Sequence, residues 1–556
     1  MTTDRLGRLV SAALALGILL ALRLPTIHVP IINVDEADFA VEAGVLLDGG
    51  RPYVDFVEKK PPLIYAAYAG GLALVGRYNL PGLRMLLLGY ILATALVLAA
   101  IARRLYGERA SWLAAPVYAA LVSAGPPMDV HAANPETFFL LPLLVGTRLV
   151  LSRRAGDPAP TGWRLVGAGV CLGLAALFKQ QAGMQLAILL AYLAFVAVVA
   201  ARSGTDDARP PAAPPPRTRL GAWFASHPNA GAAAALTAGF AAIWLVALAG
   251  LAFIGALGAF YYWTVEVNRY YIANGNNLSD SVGRFRYSLT LLAAFVPAVW
   301  MAGACGVVVH LVRERSKAPL LPLWLFGSFV PIVLGGRFFP HYFLQLYPPL
   351  VLLAVGLVAW LWDRAAAWPV PRAAVALGLL AVTAVRIESK MSHFRNAEIL
   401  SIPHATPQAR TLARYVREHT ASDDRILVWG YGSALYHMSE RRPATRFPYV
   451  TYLVGAVEGT PTWWSPFHPS RALELPRAWE QFFEDLERHP PALVIDTASA
   501  GYFAFQKFPV EKYPALMQIL EHDYERFEVA GFEVWRRVQS SKATSAAQGQ
   551  RAASGG

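Results

Sequence analysis

The chain has 556 residues, of which 55% are hydrophobic and only 15% are charged. This apolar fraction exceeds what a water-soluble core requires and indicates a protein that crosses a membrane several times. The formal charge of +12 does not indicate nucleic-acid binding, because Lys and Arg stand in small groups at the ends of apolar segments. Cys171 and Cys305 both lie inside apolar runs, which excludes a disulfide framework and a thiolate metal site.

The first apolar segment, residues 9–24, follows Arg5 and Arg8, which place the N-terminus in the cytoplasm. No small-residue cleavage site precedes the acidic stretch that follows, so we interpret this segment as an uncleaved membrane span. The loop 26–62 is therefore predicted to lie outside. It joins acidic and basic residues to apolar sequence, which favours a site at the membrane surface.

Three residues of this loop are candidates for chemistry. Adjacent Asp35 and Glu36 offer a general base, or half of a cation site. The alternative is a solvated pair that caps a helix beginning at Ala37. Lys60, before Pro61 and Pro62, suits a lipid-borne phosphate, and the alternative is a side chain that only reaches the interface.

The next apolar run, residues 63–75, has about 13 residues and is predicted not to cross the membrane. With that choice the basic clusters at Arg103, Arg153 and the Pro-rich linker 202–229 all fall in the cytoplasm. About eleven spans result, and the C-terminal region lies outside. The predicted spans are 9–24, 83–102, 111–124, 137–151, 163–178, 184–199, 230–253, 291–311, 322–334, 343–362 and 375–386.

The later polar motifs fall on the same outer face as Asp35. His131 and Glu136 could contribute two metal ligands, although a plain loop is the simpler interpretation. Arg337 and His341 stand on either side of a proline at the membrane edge and suit a phosphate or pyrophosphate. Arg84 lies at the outer end of a span, where it could instead only mark the interface. The other polar residues of this face are Asp129, Asn134, Lys179, Gln180, Glu266 and Arg269.

From about residue 402 the pattern changes to short apolar runs that alternate with amphipathic segments. Residues 425–429 and 492–496 are predicted to be buried strands, and residues 411–420 and 478–489 to be helices. A hairpin is predicted near 528–538. Residues 400–538 thus form an extracytoplasmic α/β domain after a transmembrane domain at 1–390, and the polar tail 539–556 is too small and polar to fold.

Taken together, these motifs resemble the polyprenyl-phosphate-sugar-dependent glycosyltransferases of the C-type superfamily, which include protein O-mannosyltransferases and the bacterial aminoarabinose transferase. The resemblance covers about residues 1–390. One difference is an Asn-Pro-Glu motif where relatives often have Asp, which weakens a metal assignment there. The motifs are Asp35-Glu36, Lys60-Pro61-Pro62-Leu63, the LPGLR that ends at Arg84, the NPE of 134–136, the FKQQAG of 178–183 and the RFFPHYFLQLYPPL that begins at Arg337.

The resemblance implies a polytopic helical fold and an inverting transfer from a polyprenyl-phosphate sugar to an acceptor hydroxyl. Asp35 would accept the hydroxyl proton, and Glu36 is the second catalytic candidate. The implied donor-phosphate ligands are Lys60, Arg84, Arg337 and His341. The implied sugar or acceptor contacts are Asn134, Glu136, Lys179, Gln180, Arg269 and Tyr342. A divalent cation is left open as a cofactor, with Asp35, Glu136 and His131 as its ligands.

The expected partners are the lipid-linked sugar donor, an acceptor that is a lipid, a glycan or a protein, and the lipids of a bacterial plasma membrane. Nucleic acid is excluded. A transporter or flippase of lipid-linked sugars is the alternative function, and a structural membrane scaffold is a third. Transport predicts charged residues in the middle of spans and paired inverted repeats. Neither pattern is evident in the sequence, so we favour the enzyme.

Overall fold

In the computed structural model, the described residues are 3–151, 162–203, 228–269, 278–313, 320–364, 383–392, 405–456, 475 and 477–538. Most of the predicted linker 202–229, most of the predicted span 375–386 and the whole predicted tail 539–556 lie outside these ranges. The chain divides into two compact units. The first contains Met1–Phe39 and Glu58–Ser401, and the second contains Ala40–Val57 and Ile402–Gly556.

The described part of the first unit is helical. A π-helix runs from Tyr262 to Val267, and short 3-10 helices run over Gln180–Gly183 and Pro340–Leu346. The α-helices are Thr3–Ile27, Val34–Leu47, Leu63–Val75, Leu80–Tyr106, Glu108–Ser123, Pro127–Val130, Pro135–Val150, Gly162–Phe178, Met184–Ser203, Pro228–Phe253, Leu257–Tyr261, Leu278–Phe295, Pro297–Arg313, Leu320–Gly335 and Tyr347–Arg364. The helix Val34–Leu47 begins in the first unit and ends in the second.

Several of these helices are long and apolar enough to cross a membrane, which confirms the prediction of a polytopic helical protein. Among the described residues, five helical segments meet this test, and a pair that bends by 107° at Pro297 makes a sixth. Shorter apolar helices, including Leu63–Val75, do not meet it. The figure of about eleven spans includes the shorter helices Gly162–Phe178 and Leu320–Gly335 but not Leu63–Val75, and it stays a prediction. The five long segments are Thr3–Ile27, Leu80–Tyr106, Gln180–Val198, Ala230–Phe253 and Pro340–Arg364.

Small residues bring two of the apolar helices into close contact. A Cβ atom on Gly169 would lie 2.0 Å from the carbonyl oxygen of Leu236, and one on Gly239 would lie 2.0 Å from that of Val166. The helices Gly162–Phe178 and Pro228–Phe253 therefore pack with their backbones touching. This is how membrane helices associate where lipid removes the hydrophobic driving force, and dispersion contacts must replace it.

The second unit is built around a five-stranded sheet in the order β2-β1-β3-β5-β4. Strands β1 (Arg425–Trp429), β2 (Arg442–Pro443) and β3 (Leu493–Asp496) are parallel, whereas β4 (Tyr524–Val529) and β5 (Phe532–Arg537) form an antiparallel hairpin. The helices of this unit are Pro407–His419, Ser433–Ser439, Thr451–Val454, Ala478–Arg488 and Pro514–Asp523, with 3-10 helices at Tyr502–Lys507 and Val510–Lys512.

This sheet confirms the prediction of an α/β domain, including strands at 425–429 and 492–496. The hairpin begins at Tyr524, four residues before its predicted start, and strand β2 was not predicted. Both amphipathic helices form as expected. Thr406 caps the first, accepting a hydrogen bond from Ala409 N at 3.1 Å, with Pro407 following it. Leu412 and Val416 are among its buried residues.

The sequence assigned the whole loop 26–62 to the membrane domain, whereas the contacts group Ala40–Val57 with the C-terminal sheet. Within that second unit, Val57 N donates to the carbonyl of Arg446 at 3.1 Å, and Arg442 Nε lies 3.3 Å from Asp48 Oδ2. Arg446 in turn makes a bidentate ion pair with Asp485, with distances of 2.8 and 2.7 Å. The exact domain boundaries stay a prediction, but this segment does not pack where its position in the sequence suggests.

Candidate active site

The helix Val34–Leu47 begins at the predicted acidic pair. Asn33 Oδ1 accepts a hydrogen bond from Asp35 N at 2.8 Å, and Asn33 Nδ2 donates to the carbonyl of Met128 at 2.7 Å. The helix start is thus capped by Asn33, not by the acids. Asp35 and Glu36 occupy its first turn, but their side chains have different surroundings.

Asp35 is half-buried among cationic side chains. Burial on its own would raise the pKa of the carboxyl, but the positive charges of Lys60, His341, Lys179 and Lys59 together outweigh burial and lower that pKa below its ordinary value. Asp35 is therefore a carboxylate at neutral pH. The charges that act on Asp35 include two residues predicted to bind the donor phosphate, Lys60 and His341, and one predicted to contact sugar or acceptor, Lys179.

Glu36 has a different environment, because it is fully buried and its hydrogen bonds are satisfied. Arg84 Nε donates to its Oε1 at 3.0 Å and Arg84 Nη2 to its Oε2 at 2.6 Å. The backbone amide of Ala133 adds a third hydrogen bond, to Oε1 at 2.8 Å. The remaining donors of Arg84 bind the carbonyls of Ile27, Val29 and Pro30.

The structure thus gives two of the predicted site residues partners within the protein. Arg84 was predicted to bind the donor phosphate, yet it is buried and its donors are used within the protein. Glu36 was a catalytic candidate, yet both its oxygens accept hydrogen bonds from this guanidinium. The pair instead fixes the chain before and within the first turn of the helix, and so holds Asp35 in place.

The Lys59–Lys60 segment is held through one backbone carbonyl. Gln180 Nε2 and Asn268 Nδ2 donate to the carbonyl of Lys59 at 3.3 and 2.9 Å. Lys60 Nζ lies 3.6 Å from Glu58 Oε2 and 4.8 Å from the centre of the Phe39 ring. Gln180 was predicted to contact sugar or acceptor, and here it positions the lysines instead.

His341 is oriented by an acid that the sequence did not single out. Its Nδ1 donates to Asp129 Oδ1 at 3.2 Å, because a carboxylate only accepts. Asn134 Nδ2 supports the same residue by donating to the Asp129 carbonyl at 3.3 Å. Asp129 was visible on the predicted outer face, but its partner lies 212 residues further along the chain, so sequence spacing could not reveal the pair.

Lys179 completes the group of cations around Asp35. Its Nζ is hydrogen-bonded to Glu136 Oε1 and lies 3.9 Å from the centre of the Tyr342 ring. Burial lowers the pKa of Lys179, and the carboxylate of Glu136 opposes that shift. Glu136 is fully buried, and its second oxygen, Oε2, has no hydrogen-bond partner among the described residues. A buried carboxylate oxygen without a donor can accept a hydrogen bond from a bound molecule.

His131 does not belong to this group. Its Nε2 donates to the carbonyl of Ser123 at 2.8 Å, and its Nδ1 pairs with Thr26 Oγ1 at 2.8 Å. Burial, followed by the charge of Arg23, lowers the pKa of His131 to about 3. Both ring nitrogens of this neutral imidazole are occupied within the protein, whereas the sequence suggested it as a possible metal ligand.

Arg337 and Arg269 are the two remaining residues of the predicted site. Arg337 is only 1% exposed and stands between Gly336 and Phe338, which both have left-handed backbone angles, with φ of 59° and 50°. Arg269 is exposed, and it is the neighbouring Asn268 that reaches Lys59. Phosphate binding by Arg337 and sugar binding by Arg269 therefore stay predictions.

The residues left open as cation ligands do not form a common cluster. Within the described ranges, no group of three or more His, Cys, Asp or Glu side chains is placed to hold a metal ion. His131 is engaged elsewhere, and Lys179 occupies one oxygen of Glu136. The cationic side chains whose charges act on Asp35 are Lys60, His341, Lys179 and Lys59.

Residues 59–204 match the family of dolichyl-phosphate-mannose-protein mannosyltransferases, a range that includes Lys60, Arg84, Glu136 and Lys179. No curated protein matches the chain by sequence.

Two solved structures share the fold at low sequence identity. ArnT from Cupriavidus metallidurans, bound to undecaprenyl phosphate, aligns with a TM-score of 0.59 at 14% identity, over 97% of this chain and 99% of that one. The archaeal oligosaccharyltransferase AglB from Archaeoglobus fulgidus, in complex with an inhibitory peptide and a dolichol-phosphate, aligns with a TM-score of 0.54 at 14% identity, over 97% and 75%. These two structures confirm the expected fold, a helical membrane domain with a C-terminal α/β domain.

Proposed function

We propose that this chain, which has the C-type glycosyltransferase fold and matches the dolichyl-phosphate-mannose-protein mannosyltransferases over residues 59–204, transfers a sugar from a polyprenyl-phosphate donor to an acceptor hydroxyl. The transfer takes place on the extracytoplasmic face and inverts the anomeric carbon. The observation that carries the proposal is one carboxylate, Asp35, under the influence of Lys60, His341, Lys179 and Lys59.

This arrangement suits a reaction in which a negative charge leaves as a neutral nucleophile arrives. The acceptor oxygen forms a bond to the anomeric carbon, and the bond from that carbon to the phosphate oxygen breaks. The electron pair goes to the polyprenyl phosphate, whose growing charge is stabilised by fixed cations in a place poor in water. Lys60 and His341 are the residues that we assign to this role, and Arg337 is a further candidate.

Asp35 takes the proton of the acceptor hydroxyl. A carboxylate is a weak base for an alcohol, so its main effect is to orient the hydroxyl and to accept the proton late, when bond formation has made it acidic. The lowered pKa keeps Asp35 ionised in the free protein. A bound phosphate brings negative charge to the same cations, so donor binding makes Asp35 a better base at the moment when it must act.

Glu136 offers a hydrogen-bond acceptor to the sugar. Lys179 uses its Oε1, which neutralises the buried charge, while Oε2 can accept a hydrogen bond from a sugar hydroxyl. The ring of Tyr342, 3.9 Å from Lys179 Nζ, adds an aromatic surface beside this oxygen. Asn134, whose Oδ1 is also buried and without a partner among the described residues, is a second contact of this kind.

The substitution Lys60→Ala is expected to weaken use of the donor by tenfold to more than a hundredfold, because it removes one charge-assisted contact worth about 1.5–3 kcal/mol. Turnover at limiting polyprenyl-phosphate sugar measures this in purified protein in lipid. Lys390→Ala, a change at an exposed lysine of the same unit, is the control and should leave turnover unchanged. If Lys60→Ala matched that control, the phosphate would be bound by other residues.

The predicted orientation gives a separate test. In a variant without Cys171 and Cys305, single changes Gln180→Cys and Glu525→Cys should react in intact cells with a thiol reagent that cannot cross the membrane, because both sites are exposed and predicted to lie outside. Asp363→Cys should react only after the cells are opened. Labelling of position 363 but not of position 180 in intact cells would invert the topology and contradict the extracytoplasmic assignment.

A further inference from the structure

A cavity lies at the far end of the helix Leu80–Tyr106, which carries Arg84 near its other end. It has a volume of about 330 Å³ and is formed by Leu80–Tyr106, Pro297–Arg313 and Tyr347–Arg364. Arg84 stands near the beginning of the first helix and Tyr106 at its end, a separation of about 33 Å along the axis at 1.5 Å per residue. This cavity therefore does not belong to the site around Asp35.

Two glycines allow these helices to approach closely. A Cβ atom on Gly356 would lie 2.6 Å from the ring of Tyr106, and one on Gly306 would lie 2.4 Å from the carbonyl of Leu353. Tyr106 thus lies flat against the neighbouring helix, with its hydroxyl 3.5 Å from His310 Nδ1. The tyrosine and the histidine both line the cavity, where they place polar atoms among walls such as Val309 and Leu357.

One acidic and one basic side chain, Asp363 and Arg364, line the cavity. Asp363 is paired with Arg109, and Arg103 Nη1 lies 3.7 Å from Glu108 Oε1. Arg364 lies over the ring of Trp360 at 4.7 Å, and no carboxylate of the described residues pairs with it. The charge pattern of the sequence assigns this end to the cytoplasm, where anionic lipid headgroups attract basic residues.

We propose that this cavity is a binding site for an anionic glycerophospholipid. Its phosphate lies at Arg364, with the Tyr106 hydroxyl and His310 as further hydrogen-bonding groups, and one acyl chain follows the apolar wall at Val309 and Leu357. Arg364, beside Trp360, can bind the charged headgroup, and the apolar wall between the helices can pack against the hydrocarbon chain that is joined to it. A soluble anion would leave the apolar wall uncovered.

The test compares lipid binding by the purified full-length protein in a neutral detergent, with native mass spectrometry as the readout. Phosphatidylglycerol is the probe, and phosphatidylcholine and inorganic phosphate are the comparison ligands. We expect phosphatidylglycerol to bind in preference to phosphatidylcholine. Arg364→Ala should weaken that binding by about five- to tenfold, since it removes one charge-assisted contact. Arg164→Ala is the control, a change on a helix that does not line the cavity.

A second variant separates the cavity from general surface attraction. Val309→Trp keeps every charge at the mouth but fills the apolar wall, so it should also weaken binding of phosphatidylglycerol while the protein stays folded. Equal binding of the two lipids, or no loss in either Arg364→Ala or Val309→Trp, would overturn the proposal. Displacement of the lipid by millimolar inorganic phosphate would also overturn it, because the site would then recognise a free anion. None of these outcomes depends on glycosyl transfer.

Discussion

Replacement of Asp35 with asparagine is expected to lower the rate of sugar transfer by about 10²–10⁴-fold and to leave the protein folded. Asparagine keeps the size and much of the hydrogen bonding of aspartate, but it cannot accept the proton of the acceptor hydroxyl. Donor binding should change little, because the phosphate contacts are assigned to Lys60 and His341. Loss of the negative charge also frees those cations, so any change in donor affinity should be toward tighter binding.

The measurement uses purified protein in lipid with a labelled polyprenyl-phosphate sugar, and it scores donor binding and release of polyprenyl phosphate separately. Asp363→Asn is the matched control, because it changes an exposed aspartate at the other end of a membrane helix. Full release activity in Asp35→Asn would remove this residue from the mechanism. Glu36 could not replace it without leaving the guanidinium of Arg84, so the base would have to be sought outside the acidic pair.

The same experiment separates the enzyme from a transporter of lipid-linked sugars. A transporter that uses Asp35 as a ligand for substrate or for a coupling ion would lose binding and movement together. It would also give no glycosylated product in either form. An unchanged donor affinity combined with slow release is the result that belongs to a transferase alone.

The largest effect on stability is expected where Glu36 meets Arg84. Arg84→Ala removes one partner of a fully buried ion pair and leaves a carboxylate without its counter-charge, which typically costs about 3–5 kcal/mol. The carbonyls of Ile27 and Pro30 also lose their donor. We therefore expect a large fall in the thermal unfolding midpoint of the purified protein.

A double-mutant cycle shows how much of that cost comes from the pair. The double variant Glu36→Leu with Arg84→Met should be less destabilised than the sum of its two single changes, because it leaves no unpaired buried charge. Arg8→Ala breaks the part-exposed pair with Glu108 in the same unit and should cost less than about 1 kcal/mol. If Arg84→Ala were as stable as Arg8→Ala, the buried pair would not hold the helix start, and phosphate binding by Arg84 would regain support.

The sequence predicted those parts of the molecule that follow from local hydrophobic pattern or from residue type and predicted membrane face. The C-terminal strands could be read from short apolar runs, and Asp35, Lys60 and His341 could be selected because they share a predicted membrane face. The sequence could not show which of two adjacent, similar residues belongs to the site. Asp35 and Glu36 are adjacent and chemically alike, yet one faces cations at the site while the other is enclosed by an arginine 48 residues away.

The sequence likewise could not show which partners His131 and Gln180 have in the folded protein. A histidine in a polar loop has the residue type of a metal ligand, but burial lowers the pKa of His131, and Ser123 and Thr26, neither of which adjoins it in sequence, occupy its two ring nitrogens. Gln180 does lie near the site, but it binds a backbone carbonyl. Asp129 was noted on the predicted outer face but was given no role, because its contact with His341 forms only when the chain folds.

The segment Ala40–Val57 has a consequence for how such proteins can be recombined. It is encoded early in the chain but folds with the C-terminal sheet, where Val57 binds Arg446 and Asp48 lies beside Arg442. A chimera that joins residues 1–401 of one homologue to the C-terminal part of another would therefore pair Ala40–Val57 of the first with the C-terminal sheet of the second, to which it is not matched. A compatible exchange must transplant two separate stretches together. In homologues, substitutions in Ala40–Val57 and in the part of the C-terminal domain that it contacts are therefore expected to occur together.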